Sequence, residues 1–195
     1  MNELRNLAGG DQRLIGDIIG DSFSDDPVNR WVFGGQEGMT AHYTSVAKKL
    51  YLPKGFGHVT QEGTGVAMWL PPGIKKDVPL WRSIDMAYSM IRHNGVGSIM
   101  RGLSVDYCLD QAKPLQPHYY LFAVGARQGC QGKGIGGELM RAGLERVDTD
   151  GMPAYLESSK EDNIEFYRHF GFDVLEKVVP AHDCPPLWLM WREAS

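Results

Sequence analysis

The chain has 195 residues, 43% of them apolar, and a formal net charge of −4. That is enough apolar material for one domain with a full core, and the mild negative charge supplies no global field to draw nucleic acid. There is no apolar run near the ~18–20 residues of a membrane span, and the opening MNELRNLAGGDQ lacks a signal peptide's apolar core.

The three cysteines, Cys108, Cys130 and Cys184, are widely spaced and odd in number. They give neither a disulfide framework nor a zinc site, so a reducing cytoplasm is the expected compartment and no metal is expected.

Taken in order, residues 3–8 allow a short first strand. Asp11 is placed to cap a helix whose stripe is Leu14, Ile15, Ile18, Ile19 and Phe23. Asp25-Asp26-Pro27 ends it, and the plainest reading of that segment is a solvated turn. A second helix over about 38–51 follows from the spacing of Met39, Tyr43, Val46, Ala47 and Leu50. Residues 56–61 and 65–70 read as two strands around Glu62-Gly63-Thr64, with Pro71-Pro72-Gly73 stopping the second.

Residues 74–117 are the least regular. Trp81, Ile84, Tyr88 and Ile91 make one helical stripe, and Met86 and Met90 lie on another face. A second helix covers 97–111 after Asn94-Gly95. Apolar residues on more than one face imply burial, or an adaptable pocket wall, and methionine suits both.

Residues 118–125 form a buried strand, followed by a turn through Gly125–Cys130 and then Gln131-Gly132-Lys133-Gly134-Ile135-Gly136-Gly137. That run opens a helix whose inner face is Leu139, Met140, Gly143, Leu144 and Val147. Residues 154–159 are another strand. Asp162 and Glu165 are spaced as a capping box for the next helix, Gly171 stands where a left-handed residue ends it, and 172–179 and 186–193 are closing strands. His182-Asp183-Cys184 between them reads as a turn, since adjacency alone makes no nucleophile–base geometry.

Glycines at a helix start let backbone N–H groups approach a ligand without Cβ interference. The first-turn N–H groups lack intrahelical acceptors, and the helix dipole adds positive potential. Residues 131–137 are thus an anion site suited to a pyrophosphate. Gly132, Gly134 and Gly137, with Glu157 further on, formally fit a dinucleotide fingerprint. However, a long turn separates these glycines from the strand, and too little chain follows Glu157 for a doubly wound sheet. The Walker pattern is absent, because Gly134 follows Lys133.

Gln131-x-x-Gly134-x-Gly136 after a strand resembles motif A of the GCN5-related N-acetyltransferases. The resemblance continues through Ala154–Ser159 and Asn163-Ile164-Glu165-Phe166-Tyr167-Arg168-His169-Phe170-Gly171-Phe172, so the joint pattern covers 118–172. Trp69–Gly73 and Pro185–Met190 are similar to the puromycin-acetyltransferase-like branch.

The resemblance implies an α/β (α+β) acyl-CoA N-acyltransferase fold, with a mixed, mainly antiparallel sheet of about seven strands. Residues 1–195 would form one domain, with 74–117 a helical insertion that could cover the acceptor site. The activity implied is transfer of the acetyl group of acetyl-CoA to an amine of a small-molecule or peptide acceptor; the alternative is a non-catalytic acyl-CoA-binding regulatory module. Neither nucleic acid nor membrane is an expected partner, and a homodimer is an open one.

Carried over residue by residue, Gln131, Gly132, Lys133, Gly134, Ile135, Gly136 and Gly137 hold the pyrophosphate. Val124 and Ala126 offer backbone groups to the pantetheine arm, and Asn163 contacts coenzyme A. Tyr167 is the general acid, and Glu157 the base through water, with Asp25 or Asp26 as alternatives. Phe23, Asp25, Asp26, Asn29 and Trp31 are candidates to line the acceptor site. Arg127 and Gln128 stand where the family commonly has an Asp-Pro pair.

Overall fold

The computed structural model describes residues 2–74, 76 and 84–194, with the backbone alone of Asp85. Trp81 of the expected stripe lies outside the described residues. In chain order the elements are β1 (Leu4–Asn6), α1 (Gln12–Ser22), α2 (Pro27–Phe33) and α3 (Gln36–Val46), which runs through a π-helical turn (Ala47–Tyr51) into the short α4 (Leu52–Lys54). Then come β2 (Phe56–Thr60), β3 (Gly65–Leu70), α5 (Ile84–Asn94), α6 (Gly97–Ala112), β4 (Tyr119–Ala126) and α7 (Ile135–Thr149). The chain closes with β5 (Ala154–Ser158), α8 (Ile164–Arg168), β6 (Asp173–Val178) and β7 (Leu187–Arg192).

The seven strands make one sheet in the order β1-β2-β3-β4-β5-β7-β6. Only β4 and β5 run parallel; the other neighbours are antiparallel. This is the mixed, mainly antiparallel sheet expected. Each face carries its own apolar layer. On one, Val59, Val66, Met68 and Leu70 pack with Ile15, Ile18, Ile19, Met39, Val46 and Leu50 of α1, α3 and the π turn. On the other, Ala67, Trp69, Leu121, Leu156 and Met190 pack with Ile135, Leu139, Met140, Leu144 and Val147 of α7. The alternation along β3 divides its residues between the two layers.

β3 and β4 do not match residue for residue. Met68 pairs with Ala123 and Trp69 with Leu121, so Phe122 has no counterpart in β3. This is a β-bulge. It carries Ala123 to the face of α1 and α3, whereas Leu121 lies on the α7 face. At the same point β4 leaves β5: the pairing consists of Tyr119↔Ala154, Tyr120↔Tyr155 and Leu121↔Leu156, and no more. Beyond it Phe122–Ala126 and Glu157–Ser158 diverge into a V-shaped cleft.

Several local readings are corrected. α2 replaces the solvated turn: Pro27 takes the first helical position, and Asp26 caps it by accepting from the Asn29 N–H at 2.8 Å. Asp11 starts α1 without capping it, because its carboxylate is held by Arg5 and the Ala8 N–H. The capping box of α8 does not form: Glu165 pairs with Arg168 instead. On α5, Met86 and Met90 face the core, but Ile84, Tyr88 and Ile91 are exposed rather than buried.

Gly143 is required by close approach. A Cβ there would lie 2.3 Å from Trp69 Nε1 and 2.6 Å from Cε2, and that ring is fully buried. Gly143→Ala therefore overpacks the interface of α7 with β3, at a cost of about 1–3 kcal/mol. A melting temperature lowered by several degrees in calorimetry is the expected result; an unchanged one would show that α7 and Trp69 are not pressed together.

Candidate active site

The floor of the cleft is set by how β4 presents its backbone. Arg127 N–H donates to Thr64 C=O at 2.8 Å across β3. Successive residues of a strand point their hydrogen-bonding groups to opposite sides. Those of Gly125 therefore face β3, and those of Val124 and Ala126 face the open side, where β5 has departed.

At the end of β4 a 3-10 turn (Gln128–Cys130) leads into the glycine run. Gln131 Nε2 reaches back to Ala126 C=O at 3.4 Å, and Lys133 Nζ donates to Gly129 C=O at 3.0 Å. Gly134 adopts φ 81°, the left-handed region that disfavours side chains. The first backbone bond of α7 is Glu138 N–H to Gly134 C=O at 3.1 Å, so the N–H groups of Ile135, Gly136 and Gly137 have no acceptor within the helix. A Cβ at Gly132 or Gly134 would meet nothing within 4 Å. Open space, unsatisfied donors and the positive end of a 15-residue helix fit a pyrophosphate.

α8 lies against the same helix end, with Phe166 and Phe170 beside Gly136 and Gly137. Asn163, at the start of α8, is exposed and makes no capping bond, which leaves its amide available to a ligand. Tyr167 is buried, edge-on to Phe166 and Phe172. Burial, and then the charge of Asp26, holds its phenol well above the usual value of 10.0. It therefore keeps its proton throughout the neutral and mildly alkaline range.

Two carboxylates flank the cleft. Asp26 is 3% exposed. It accepts from the Ser159 hydroxyl and from Asn29 Nδ2 at 2.8 Å, while Asn29 Oδ1 accepts from the Tyr43 hydroxyl at 2.8 Å. Asp26 is thus tied to the end of β5 and stands on the Tyr167 side of the site.

Glu157 lies just past the strand divergence. Its Oε2 accepts from the Tyr120 hydroxyl, with Lys76 Nζ at 3.7 Å and over the Tyr120 ring at 5.2 Å. Burial, then Glu157, pushes the Tyr120 phenol far up. Burial opposes the charge of Lys76, but the carboxylates of Glu157, Asp106 and Asp110 outweigh it, and its pKa rises.

The remaining candidates are also placed. Asp25 pairs with Lys160 at 2.6 Å, which lowers its pKa. Trp31 Nε1 donates to Asp183 at 3.2 Å, so the 182–184 turn touches α2. Phe23 packs edge-on to Tyr43. Burial pushes the Cys184 thiol up to about 11, the wrong direction for a nucleophile.

Sequence reasoning missed Lys76, Tyr120, Ser159, Gln128 and Lys160. Tyr120 could have been found, since it sits in register one pair from the divergence. Lys76 lies in an unpatterned stretch that signals nothing.

The sheet order, the divergence of its parallel pair and the glycine loop at the cleft define the acyl-CoA N-acyltransferase class of fold. Comparison with known proteins agrees. The acetyltransferase (GNAT) family model matches residues 89–172. An uncharacterized N-acetyltransferase of Schizosaccharomyces pombe is 27% identical, across 97% of this chain and 82% of the relative.

Among solved structures, histone acetyltransferase HPA2 and related acetyltransferase of Corynebacterium glutamicum superposes with a TM-score of 0.74 at 22% identity, covering 100% of this chain and 98% of that one. Arylalkylamine N-acetyltransferase 2 of Aedes aegypti does so at 0.65 and 14% identity, over 100% of both chains. Residues 89–172 thus resemble the GNAT family, and the chain as a whole shares the acyl-CoA N-acyltransferase fold.

The ring of His42, on α3, lies tilted by 31° against Phe33 at 4.2 Å between ring centroids. Burial, helped by Lys76 and Lys49, lowers its pKa from 6.5 to about 4. Between those values the unfolded chain binds the extra proton, so stability falls as pH drops from about 6.5 to 4. The loss reaches about 3 kcal/mol at most. His42→Phe should flatten that limb of the stability–pH curve in urea titrations; an unchanged slope would assign it to other groups.

Proposed function

We propose that the protein transfers the acetyl group of acetyl-CoA to an amine of a small-molecule or peptide acceptor by direct attack. The carrying observation is the cleft between β4 and β5, which opens between the glycine loop and Tyr167, Glu157 and Asp26. The pantetheine arm takes the place of the missing strand on β4, using the backbone of Val124 and Ala126. The pyrophosphate lies on residues 131–137, and Asn163 flanks it.

In this reading the acceptor nitrogen attacks the thioester carbonyl. The tetrahedral intermediate collapses with cleavage of the C–S bond, and the leaving thiolate takes the phenolic proton of Tyr167. Glu157 accepts the amine proton through water. Its Oε2 is already shared by Tyr120 and Lys76, so the proton goes to Oε1. The position of Asp26, on the Tyr167 side and bonded to Ser159, supports a second reading in which Asp26 is the base.

The puromycin-like wording falls on packing residues, Trp69 in β3 and Leu187–Met190 in β7. It therefore supplies no acceptor. A screen of amines, antibiotics and peptides for release of free coenzyme A identifies the acceptor; acetyl-CoA binding with no release from any of them would favour the non-catalytic alternative.

Gly134→Val should lower acetyl-CoA affinity tenfold or more in calorimetric titration, since each lost charge-assisted bond costs ~1.5–3 kcal/mol. Unchanged affinity in the folded variant would move the pyrophosphate elsewhere.

Tyr167→Phe should keep the fold and acetyl-CoA affinity but slow single turnover by ~10²–10⁴-fold. Because the wild-type phenol is held up, Tyr167 should add no alkaline limb below its usual value of 10.0. A wild-type single-turnover rate in Tyr167→Phe would reduce the residue to packing.

A further inference from the structure

Glu157 and the Tyr120 ring already hold a cation, and it is the protein's own. Lys76 Nζ lies 3.7 Å from Glu157 Oε2 and 5.2 Å from the centroid of the Tyr120 ring, as an ammonium caught between a carboxylate and an aromatic face does. The ion pair is loose. At 3.7 Å the nitrogen is beyond hydrogen-bond reach of the oxygen. The Lys76 side chain is 34% exposed, whereas that of Glu157 is 10% exposed. Beside them the Tyr51 hydroxyl is buried without a hydrogen-bond partner among the described residues, although Lys76 and Glu157 both act on its phenol. Three groups suited to an ammonium thus converge: a carboxylate, a π face and an orphan hydroxyl oxygen. Lys76 meets the first two loosely and leaves the third unbonded.

The walls decide what arm can carry the ammonium. Phe122 stacks on Tyr51 with ring centroids 4.3 Å apart, Tyr43 leans on Phe122 at 5.6 Å, and Tyr120 stacks on Tyr155 at 6.0 Å. The rings are engaged with one another, and these distances leave no slot for a further ring between them. The arm that now lies there is a lysine's: an unbranched, apolar stem with its charge at the tip.

We propose that Glu157, Tyr120 and Tyr51 form a seat for a primary ammonium on an unbranched alkyl arm, that Lys76 occupies it in the free protein, and that the acceptor takes it by displacing the Lys76 side chain toward solvent. The use of the seat rests on the acetyl-transfer reading; its existence does not. Glu157 lies just past the point where β4 leaves β5, so an amine seated there is beside the base and at the open side of the cleft. In the step that follows, the ammonium passes one proton to Glu157 through water, the nitrogen forms the C–N bond, the C–S bond breaks, and the thiolate takes the proton of Tyr167.

The whole protein carrying Lys76→Ala tests this, with n-butylamine as the probe in calorimetric titration without acetyl-CoA. Vacating the seat leaves a mostly buried carboxylate without its cation. The probe should therefore bind the variant at millimolar concentration, raise its melting temperature, and bind at least tenfold more weakly to the wild type, where Lys76 competes. Lys76→Ser gives the same comparison with a polar residue at this partly exposed position. n-Butanol, which lacks the charge, and phenethylamine, which carries a ring, should each bind at least tenfold more weakly than n-butylamine. Adding Glu157→Gln or Tyr120→Leu to Lys76→Ala should cost at least tenfold, with near-ultraviolet dichroism showing each variant folded. Equal affinity of the wild type and both Lys76 variants overturns Lys76 as the occupant, binding that survives Glu157→Gln overturns the seat, and a preference for phenethylamine overturns the unbranched arm. Release of coenzyme A is read separately. A probe that binds Lys76→Ala but releases none from acetyl-CoA leaves the seat standing and overturns the acetyl-transfer reading; release with another amine, and no binding of n-butylamine, does the reverse.

Discussion

β4 carries one residue more than β3 can pair, and the sheet absorbs the excess at Phe122, opposite the step from Met68 to Trp69. A bulge increases the local twist of its strand, and β4 parts from β5 at that position. Three further features depend on it. The face of each side chain inverts beyond the bulge, which brings Ala123 under α1. Phe122, released from the ladder, stacks on Tyr51 at 4.3 Å and joins the base of α3 to the sheet. The backbone of Val124 and Ala126 turns to an edge that no strand covers, in the middle of a sheet. Unpaired edges elsewhere in proteins invite aggregation; here the strand is flanked by α1 and α7.

Much of this was written in the sequence. Periodicity located α1, α3 and α7, because each must bury one face, and continuous apolar runs located the inner strands β3, β4 and β7. The turn into α7 at Gln131–Gly137 was legible because its glycines stand directly before a helical stripe, and Gly134 does take a positive φ there. Tyr167 could be placed on its short helix through its distance from Gly171, which does end that helix with a positive φ. The bulge was not, since nothing in Tyr119–Ala126 marks an unpaired residue until its partner strand is known. Asp26 was misread because Asp-Pro fits both a turn and the first turn of a helix, and only the Asn29 N–H decides between them. Glu157 could be placed on its strand, but its neighbours Tyr120 and Lys76 come from distant segments. The exposure of Ile84, Tyr88 and Ile91 was invisible for another reason: a stripe shows which residues share a face, not what lies opposite it.

The two carboxylates at the cleft find their hydrogen-bond and ionic partners by different means. A buried carboxylate is tolerated only when its oxygens are satisfied. Asp26 is satisfied by neutral donors, namely Ser159, the Asn29 amide and the Asn29 backbone, while Glu157 has a phenol and an ammonium. The first arrangement leaves net negative charge beside Tyr167, which raises its pKa. The second is close to neutral. The site is therefore asymmetric, with its uncompensated negative charge on the Tyr167 side.

The segment between α1 and α2 is fastened at both ends of the cleft. Gln128, from the turn before the glycine loop, donates through its N–H to Asp21 at 2.9 Å and through its amide toward Ser22, Ser24 and Asp25. Lys160 and Ser159, past the end of β5, hold Asp25 and Asp26. A displacement of the turn before the glycine loop would thus be passed along a chain of polar contacts to residues 21–26, so the two ends of the cleft form a single mechanical unit. Under the acyl-transfer reading, remodelling residues 21–26 to admit a different amine would retune the coenzyme end of the cleft as well.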